Sequence, residues 1–347
     1  MQRNHFIDAL KGILILFVLL MHYPTSYSGI VLEILLGFVI QFAVPAFMFL
    51  SGYVQAKSMQ RRKIQSFEDA YACPLITGKI LRFLLPYAFF FLLAQVFYRL
   101  VRMYTIGVFE YGVLALFFDF LKGGYGPGSY YVPLLFQLIF LFPLVYAIIE
   151  KKGKHGLFLC LMANIAFEVL KQAFGMQESE YRLLIFRYLF LIACGCYTAI
   201  YENDKSKENS FPPITWIICL LAGIMFLILF RFTNYPAHAK IITMWGTTSV
   251  LTSFYVVPIL CFLVKRDHFS IPPLEVLGKY SFHVFLVQTL YYQYYDFALK
   301  ERFTPGIGLI VTICICVILG VVFGAVEERL GLREKILSAM FGKKKQE

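Results

Sequence analysis

The sequence predicts an all-α fold, a polytopic membrane bundle of about ten transmembrane helices with both termini in the cytoplasm. Hydrophobic residues make up 59% of the chain and charged residues only 15%, whereas about a quarter of the residues are charged in a typical soluble domain. Apolar stretches recur along all 347 residues, which favours one membrane bundle over two soluble domains. Ten of these stretches are close to the length that crosses a bilayer: residues 6–23, 35–55, 76–98, 130–149, 156–174, 183–201, 213–231, 242–264, 276–295 and 306–328.

The distribution of positive charge predicts the orientation of the bundle. The two termini and the loops on their side contain about twice as many lysine and arginine residues as the opposite loops. This bias places both termini in the cytoplasm of a multi-pass protein of the cell membrane. It also explains the net charge of +11 through contact with membrane lipid, so we expect no nucleic acid among the partners. The oligomeric state is not predicted.

One segment between the third and fourth spans is too short to cross the membrane. Residues 108–121 contain Glu110 and Asp119, and they lead into the glycine-rich sequence GGYGPG at 123–128. We expect a re-entrant or interfacial helix here, followed by a flap over the outer opening of the bundle.

The first apolar stretch, DALKGILILFVLLMHYP at residues 8–24, carries three ionisable residues. Charged groups at membrane depth usually face a protein interior or a watery cavity. Eleven helical residues advance about three turns and rise about 16 Å, so Lys11 and His22 share one helix face. Asp8 lies three residues before Lys11 and can pair with it. The spacing predicts a polar face that looks into a passage through the bundle; the alternative is that these residues only mark the two membrane interfaces.

A second basic pair lies at the predicted cytoplasmic start of the third span. Lys79 and Arg82 are three residues apart in GKILRFLLPY, at 78–87. Two cations on one helix face suit a phosphate group, although a positive-inside anchor needs the same residues. The eight cysteines form no CxxC pair and lie mostly in apolar stretches, which is typical of small buried hydrophobes and predicts no metal centre.

Together these segments resemble the acyltransferase-3 family of integral membrane O-acyltransferases. The opening motif of that family is an acidic residue, a basic residue followed by glycine, an apolar run, and a histidine eleven residues after the basic one. Asp8, Lys11, Gly12 and His22 match this motif, and the form DALKGI is similar to the fucose 4-O-acetylase-like branch. Further matches are VPAFMFLSGY (44–53), the basic pair before LPY, FRYLFLIACGCY (186–197) and LGKYSFHVFLVQ (277–288).

The resemblance implies a reaction and a set of site residues. An acetyl or other short acyl group would pass from cytoplasmic acyl-CoA, usually acetyl-CoA, to a hydroxyl of an envelope sugar, polysaccharide or glycolipid, without a metal. His22 would be the catalytic base or a transient acyl acceptor, with Lys11 and Asp8 as partners on the same helix. Lys79 and Arg82 would contact the phosphates of the donor.

Two further residues are candidates for binding the acceptor. Tyr53 closes the second matching segment, and Arg187 lies in the fourth. Arg187 would bind an acidic group of the acceptor or form a structural ion pair with Glu168. In the last matching segment Gln288 stands where a histidine is common, and His283 lies five residues earlier.

The resemblance also suggests how the chain is divided, and one alternative function remains. Residues 1–330 are expected to form an acyltransferase-3-like transmembrane domain, and residues 331–347 a basic cytoplasmic tail. An exporter or flippase of glycan or lipid could share this architecture and use intramembrane charge as a relay. Pro45 and Pro133 could supply the broken helices of a transporter, although no internal repeat is evident.

Overall fold

The computed structural model describes residues 4–23, 30–64, 66–106, 112–201, 211–233, 250–264, 270–298 and 304–342. These residues are almost entirely helical, with no strand among them, which confirms the predicted all-α class. The α-helices are α1 (His5–His22), α2 (Ile30–Arg61), α3 (Phe67–Ala70), α4 (Cys73–Ile106), α5 (Val113–Leu121), α6 (Tyr131–Ala173), α7 (Glu178–Arg182), α8 (Leu189–Tyr201), α9 (Pro213–Thr233), α10 (Ser253–Val264), α11 (Pro272–Lys279), α12 (Ser281–Ala298), α13 (Pro305–Leu330) and α14 (Leu332–Phe341). Short 3-10 helices, Ile185–Tyr188 and Val250–Thr252, precede α8 and α10.

Several helices have the length and composition of membrane spans. Within the described residues the long ones are His5–His22, Phe67–Tyr104, Tyr131–Ala173 and Gly306–Phe341, and three shorter apolar helices accompany them. The outer surface is apolar as well, since Leu92, Leu221 and Ile310 are each more than 60% exposed. A surface of this kind is stable in lipid rather than in water. The predicted number of spans and the cytoplasmic position of the termini stay predictions.

The long helix α6 is two helices that meet at a sharp turn. Gly153 has a backbone conformation outside the helical region, with φ 49° and ψ −122°. A Cβ atom on Gly156 would lie only 2.7 Å from the carbonyl oxygen of Ile148, although residues eight apart are separated by about 12 Å along a straight helix. The chain therefore reverses here, in agreement with the separate stretches predicted at 130–149 and 156–174.

The two prolines do not break the described helices in the way the transporter alternative requires. Pro45 lies inside α2, which continues over Ile30–Arg61. Pro133 lies in the first turn of α6, where the backbone N–H that a proline lacks would have no intrahelical partner. The expectation of broken helices at these positions is wrong.

The short segment after α4 folds as a short helix. Its described part, α5, spans nine residues, none of them buried; this length is about 13 Å and too short to cross a bilayer. Tyr87 of α4 donates a hydrogen bond to the carbonyl oxygen of Phe120 at 2.6 Å, which attaches α5 to the bundle. Residues 108–111 lie outside the described residues, and the interfacial position of α5 stays a prediction.

Backbone contacts at glycines hold the central helices together. A Cβ atom on Gly12 of α1 would lie 2.2 Å from the carbonyl oxygen of Leu274, and one on Gly278 of α11 would lie 1.7 Å from that of Asp8. Only glycine permits such an approach. The close contact fixes the rotation of α1 about its axis, and with it the direction of its ionisable face.

Candidate active site

A cavity of about 2400 Å³ runs beside α1 and is lined by residues from several helices. The predicted site residues in its wall are Asp8, Lys11 and His22 from α1, Tyr53 from α2, and Lys79 and Arg82 from α4. The ionisable face of α1 therefore lines a cavity, as the helical spacing predicts. His22 is the last residue of α1 and Lys11 lies in its first half, about 16 Å away along the axis.

Asp8 pairs with Lys11 and not with His22. The Lys11 ammonium lies 3.7 Å from a carboxylate oxygen of Asp8, one helical turn away. Asp8 is buried, and Lys11 is partly exposed to the cavity. The separation of Lys11 from His22 along the helix prevents direct contact between them.

His22 is the last residue of α1, and its ring lies against α12. The rings of His22 and Tyr292 are 6.3 Å apart, and the Tyr292 hydroxyl donates a hydrogen bond to the carbonyl oxygen of Leu19 at 2.7 Å. Within the described part of the chain, no residue forms a hydrogen bond with the imidazole. A hydroxyl in the cavity would therefore meet no competing partner from these residues.

The glycine-rich sequence at 123–128 packs directly against His22. Gly128 has a φ of +82°, and a Cβ atom there would lie 3.1 Å from Nε2 of His22. A Cβ atom on Gly126 would lie 2.1 Å from the carbonyl oxygen of Thr289 in α12. Gln288, which stands where the family often has a histidine, donates a hydrogen bond to the carbonyl oxygen of Pro127 at 3.2 Å. This segment closes one side of the His22 environment; the sequence predicts a flap over the outer opening but not the contact of that flap with His22.

The opposite end of the cavity is strongly basic, and we call it the basic mouth. It is defined by Arg61, Arg62, Lys79, Arg82 and Arg333, all of which line the cavity. The Lys79 ammonium donates a hydrogen bond to Oε1 of Gln55 at 3.1 Å, and the Arg82 guanidinium lies 5.8 Å from the centre of the Phe83 ring. Arg333 belongs to α14, in the segment predicted as a tail.

A histidine–carboxylate pair also lines the cavity. Nε2 of His283 on α12 lies 2.5 Å from a carboxylate oxygen of Glu327 on α13, and both residues belong to the cavity wall. Sequence reasoning gave no partner for His283, because the two residues are 44 positions apart and meet only in the folded bundle.

Arg187 is not in the cavity wall but behind it. The residue is 2% exposed, and its guanidinium lies 5.9, 4.5 and 4.9 Å from the ring centres of Tyr130, Tyr181 and Tyr188. Tyr130 does line the cavity. Among the described residues, Nε and Nη1 of Arg187 have no hydrogen-bond partner.

Glu168 does not form the ion pair with Arg187 that the sequence left open. It accepts a hydrogen bond from the Tyr181 hydroxyl at 2.6 Å, and the ring of Tyr181 faces Arg187. The tyrosine therefore stands between the carboxylate and the guanidinium.

The fold and the cavity describe an integral membrane protein in which a histidine and a basic cluster line one internal space. Comparison with known families gives the class: the family model described as an acyltransferase domain matches residues 4–326. The chain belongs to the acyltransferase-3 family and is a membrane acyltransferase. No curated protein and no solved structure matches it significantly. The match ends before α14 begins at Leu332.

Proposed function

We propose that the protein transfers an acetyl or other short acyl group from acyl-CoA on the cytoplasmic side to a hydroxyl of an envelope sugar, polysaccharide or glycolipid. The observation that carries the proposal is the single cavity that joins His22 to the basic mouth. A donor with a phosphorylated nucleotide and a long thioester arm matches this layout, because its charge and its reactive carbon lie at opposite ends of the molecule.

In this proposal His22 acts first as a general base and then as a general acid. The imidazole takes the proton of the acceptor hydroxyl as the oxygen attacks the thioester carbon, and a C–O bond forms. The tetrahedral intermediate then collapses, the C–S bond breaks, and the thiolate leaves with the proton returned by the imidazolium. A route in which His22 itself is transiently acylated needs the same residue and the same donor, and it differs in leaving an acyl-enzyme.

The remaining site residues would hold the two substrates. Lys79 and Arg82 are suited to the phosphates, since both are cations on the wall of the basic mouth. Tyr53 offers a wall position for the acceptor. Arg187 is suited to an acidic group of the acceptor only if that group reaches past Tyr130, behind which the guanidinium lies.

The test is acyl transfer by the purified protein in detergent or nanodiscs. With acetyl-CoA and a mixture of envelope glycans, we expect release of free CoA thiol and appearance of acetylated glycan by mass spectrometry. Both signals should disappear in His22→Ala at unchanged protein yield. Thiol release without any acetylated glycan would contradict the proposed acceptor, and the absence of both signals in the wild type would contradict the proposed donor.

The exporter alternative gives a different result in the same preparation. Reconstituted protein would move labelled glycan or lipid across a vesicle membrane without consuming acyl-CoA. Movement of substrate with no thiol release would favour that alternative.

A further inference from the structure

The C-terminal helix α14 packs along the start of α4, beside the predicted donor residues. Its Leu337 lies beside Gly78, where an added Cβ atom would be in van der Waals contact with Cδ1 of the leucine, at 3.5 Å. Gly78 is the residue before Lys79, so the two helices meet next to the basic pair.

Helical spacing places Arg82 and Arg333 on the two helix faces that meet at this contact. Residues four apart lie on the same face of a helix, which puts Arg82 on the face of α4 that carries Gly78, and Arg333 on the face of α14 that carries Leu337. Both arginines line the cavity, and the Arg82 guanidinium interacts electrostatically with Arg333 as well as with the carboxylates of Asp8 and Glu327. An antiparallel contact of the two helices therefore brings a third cation to Lys79 and Arg82.

The carboxylates of the cavity wall pair with residues other than Lys79 and Arg82. Glu334 pairs with Arg333, Glu327 with His283, and Glu328 with Lys279. In the described part of the chain, neither Lys79 nor Arg82 has a carboxylate within 4 Å. Among the described residues, Lys79, Arg82 and Arg333 together have one carboxylate within 4 Å, that of Glu334 beside Arg333. Such an excess of positive charge favours the binding of an anion with several negative charges.

We propose that α14 completes the donor site and that Arg333, together with Arg82, contacts the phosphate groups of the nucleotide part of acyl-CoA. This inference rests on the proposed function, and it assigns a role to a segment that lies beyond the family match and that the sequence predicts only as a basic tail.

The experiment is binding of coenzyme A to the full-length protein in nanodiscs of neutral lipid, measured by isothermal titration calorimetry. Arg333→Gln should weaken binding about three- to tenfold, because it removes a partly exposed charge-assisted contact. Arg333→Lys, which keeps the charge, should recover most of the affinity. The loss should shrink in high salt, which screens charges at this exposure.

The matched control is Arg329→Gln, since Arg329 is an exposed arginine four residues earlier that does not line the cavity. The affinity of this variant for coenzyme A should equal that of the wild type.

Three outcomes would overturn the inference. If the wild type binds coenzyme A and Arg333→Gln binds it equally well, α14 has no role in the donor site, and the proposed function still stands. If Arg333→Gln differs from the wild type only in nanodiscs that contain anionic lipid, the cluster binds a lipid headgroup instead. If the wild type does not bind coenzyme A at all, this inference and the proposed donor both fail.

Discussion

The two ends of the cavity are surrounded by different types of residue. Around the His22 ring lie aromatic and glycine residues, including Tyr292 and Gly128, and no described residue forms a hydrogen bond with the ring. The basic mouth instead gathers cations from α2, α4 and α14. Tight packing around the imidazole keeps its reacting nitrogen in a fixed position. Several cations can instead bind an anionic ligand in more than one orientation.

Under the proposed function, this difference assigns the chemical step to the His22 end and donor binding to the basic mouth. Variants near His22 should lower the turnover number, kcat, and variants in the basic mouth should raise the KM for the donor. A variant near His22 that changes only KM, or a variant in the basic mouth that changes only kcat, would contradict this assignment.

The largest effect is expected from His22→Ala. Loss of a general base typically lowers the rate about 10²–10⁴-fold, so kcat for acetyl transfer should fall by that range while expression and thermal stability are retained. His155→Ala is the control, because His155 is exposed on α6 and does not line the cavity. Retention of activity above about a tenth of the wild-type rate in His22→Ala would rule out general-base catalysis by this residue.

The next effect is expected from the double variant Lys79→Gln, Arg82→Gln. Removing two cations from a phosphate site should raise the KM for acetyl-CoA about 10- to 100-fold, with little change in kcat. The measurement is a set of initial rates over a range of donor concentrations. Lys151→Gln with Lys152→Gln removes the same charge from exposed positions outside the cavity; if this pair raises KM as much, only the net charge of the protein matters.

Gly128→Ala should mainly lower kcat, by about tenfold, because a methyl group would meet Nε2 of His22 at 3.1 Å and displace the ring. Gly175→Ala is the control for the backbone strain of alanine at positive φ. Gly175 has a φ of +60° and nothing within 4 Å of an added Cβ atom. Comparable losses of activity in both variants would show that the effect is general destabilisation.

Asp8→Asn should have the smallest effect, about threefold or less on either parameter. The carboxylate pairs with Lys11 at 3.7 Å and lies at the other end of α1 from His22, so its substitution should leave the group that reacts at the His22 end unchanged. A loss of kcat comparable to that of His22→Ala would instead support the catalytic role that the family resemblance implies for Asp8.

The helical part of this site follows from the sequence because helix periodicity is local. An eleven-residue spacing places Lys11 and His22 on one face in any α-helix, and a three-residue spacing does the same for Lys79 and Arg82. Composition alone predicts the all-α membrane class, since the outer surface must be apolar.

The rest of the site depends on contacts between distant segments, and the pattern of residues does not contain them. Gly128 meets His22 because its loop packs on α12, and Arg333 joins the wall that carries Arg82 because α14 packs beside the start of α4. The position of Arg187 behind Tyr130 has the same cause: the aromatic residues around it come from α7 and from the segments that precede α6 and α8. Such packing is decided by side-chain shape in the folded bundle.

An experimental structure of the protein with bound acetyl-CoA tests the central claim most directly. We expect the nucleotide phosphates within hydrogen-bond distance of Lys79 and Arg82, and the thioester extending through the same cavity toward His22. A donor whose phosphates lie elsewhere, or a His22 ring separated from the thioester by a continuous protein wall, would contradict it.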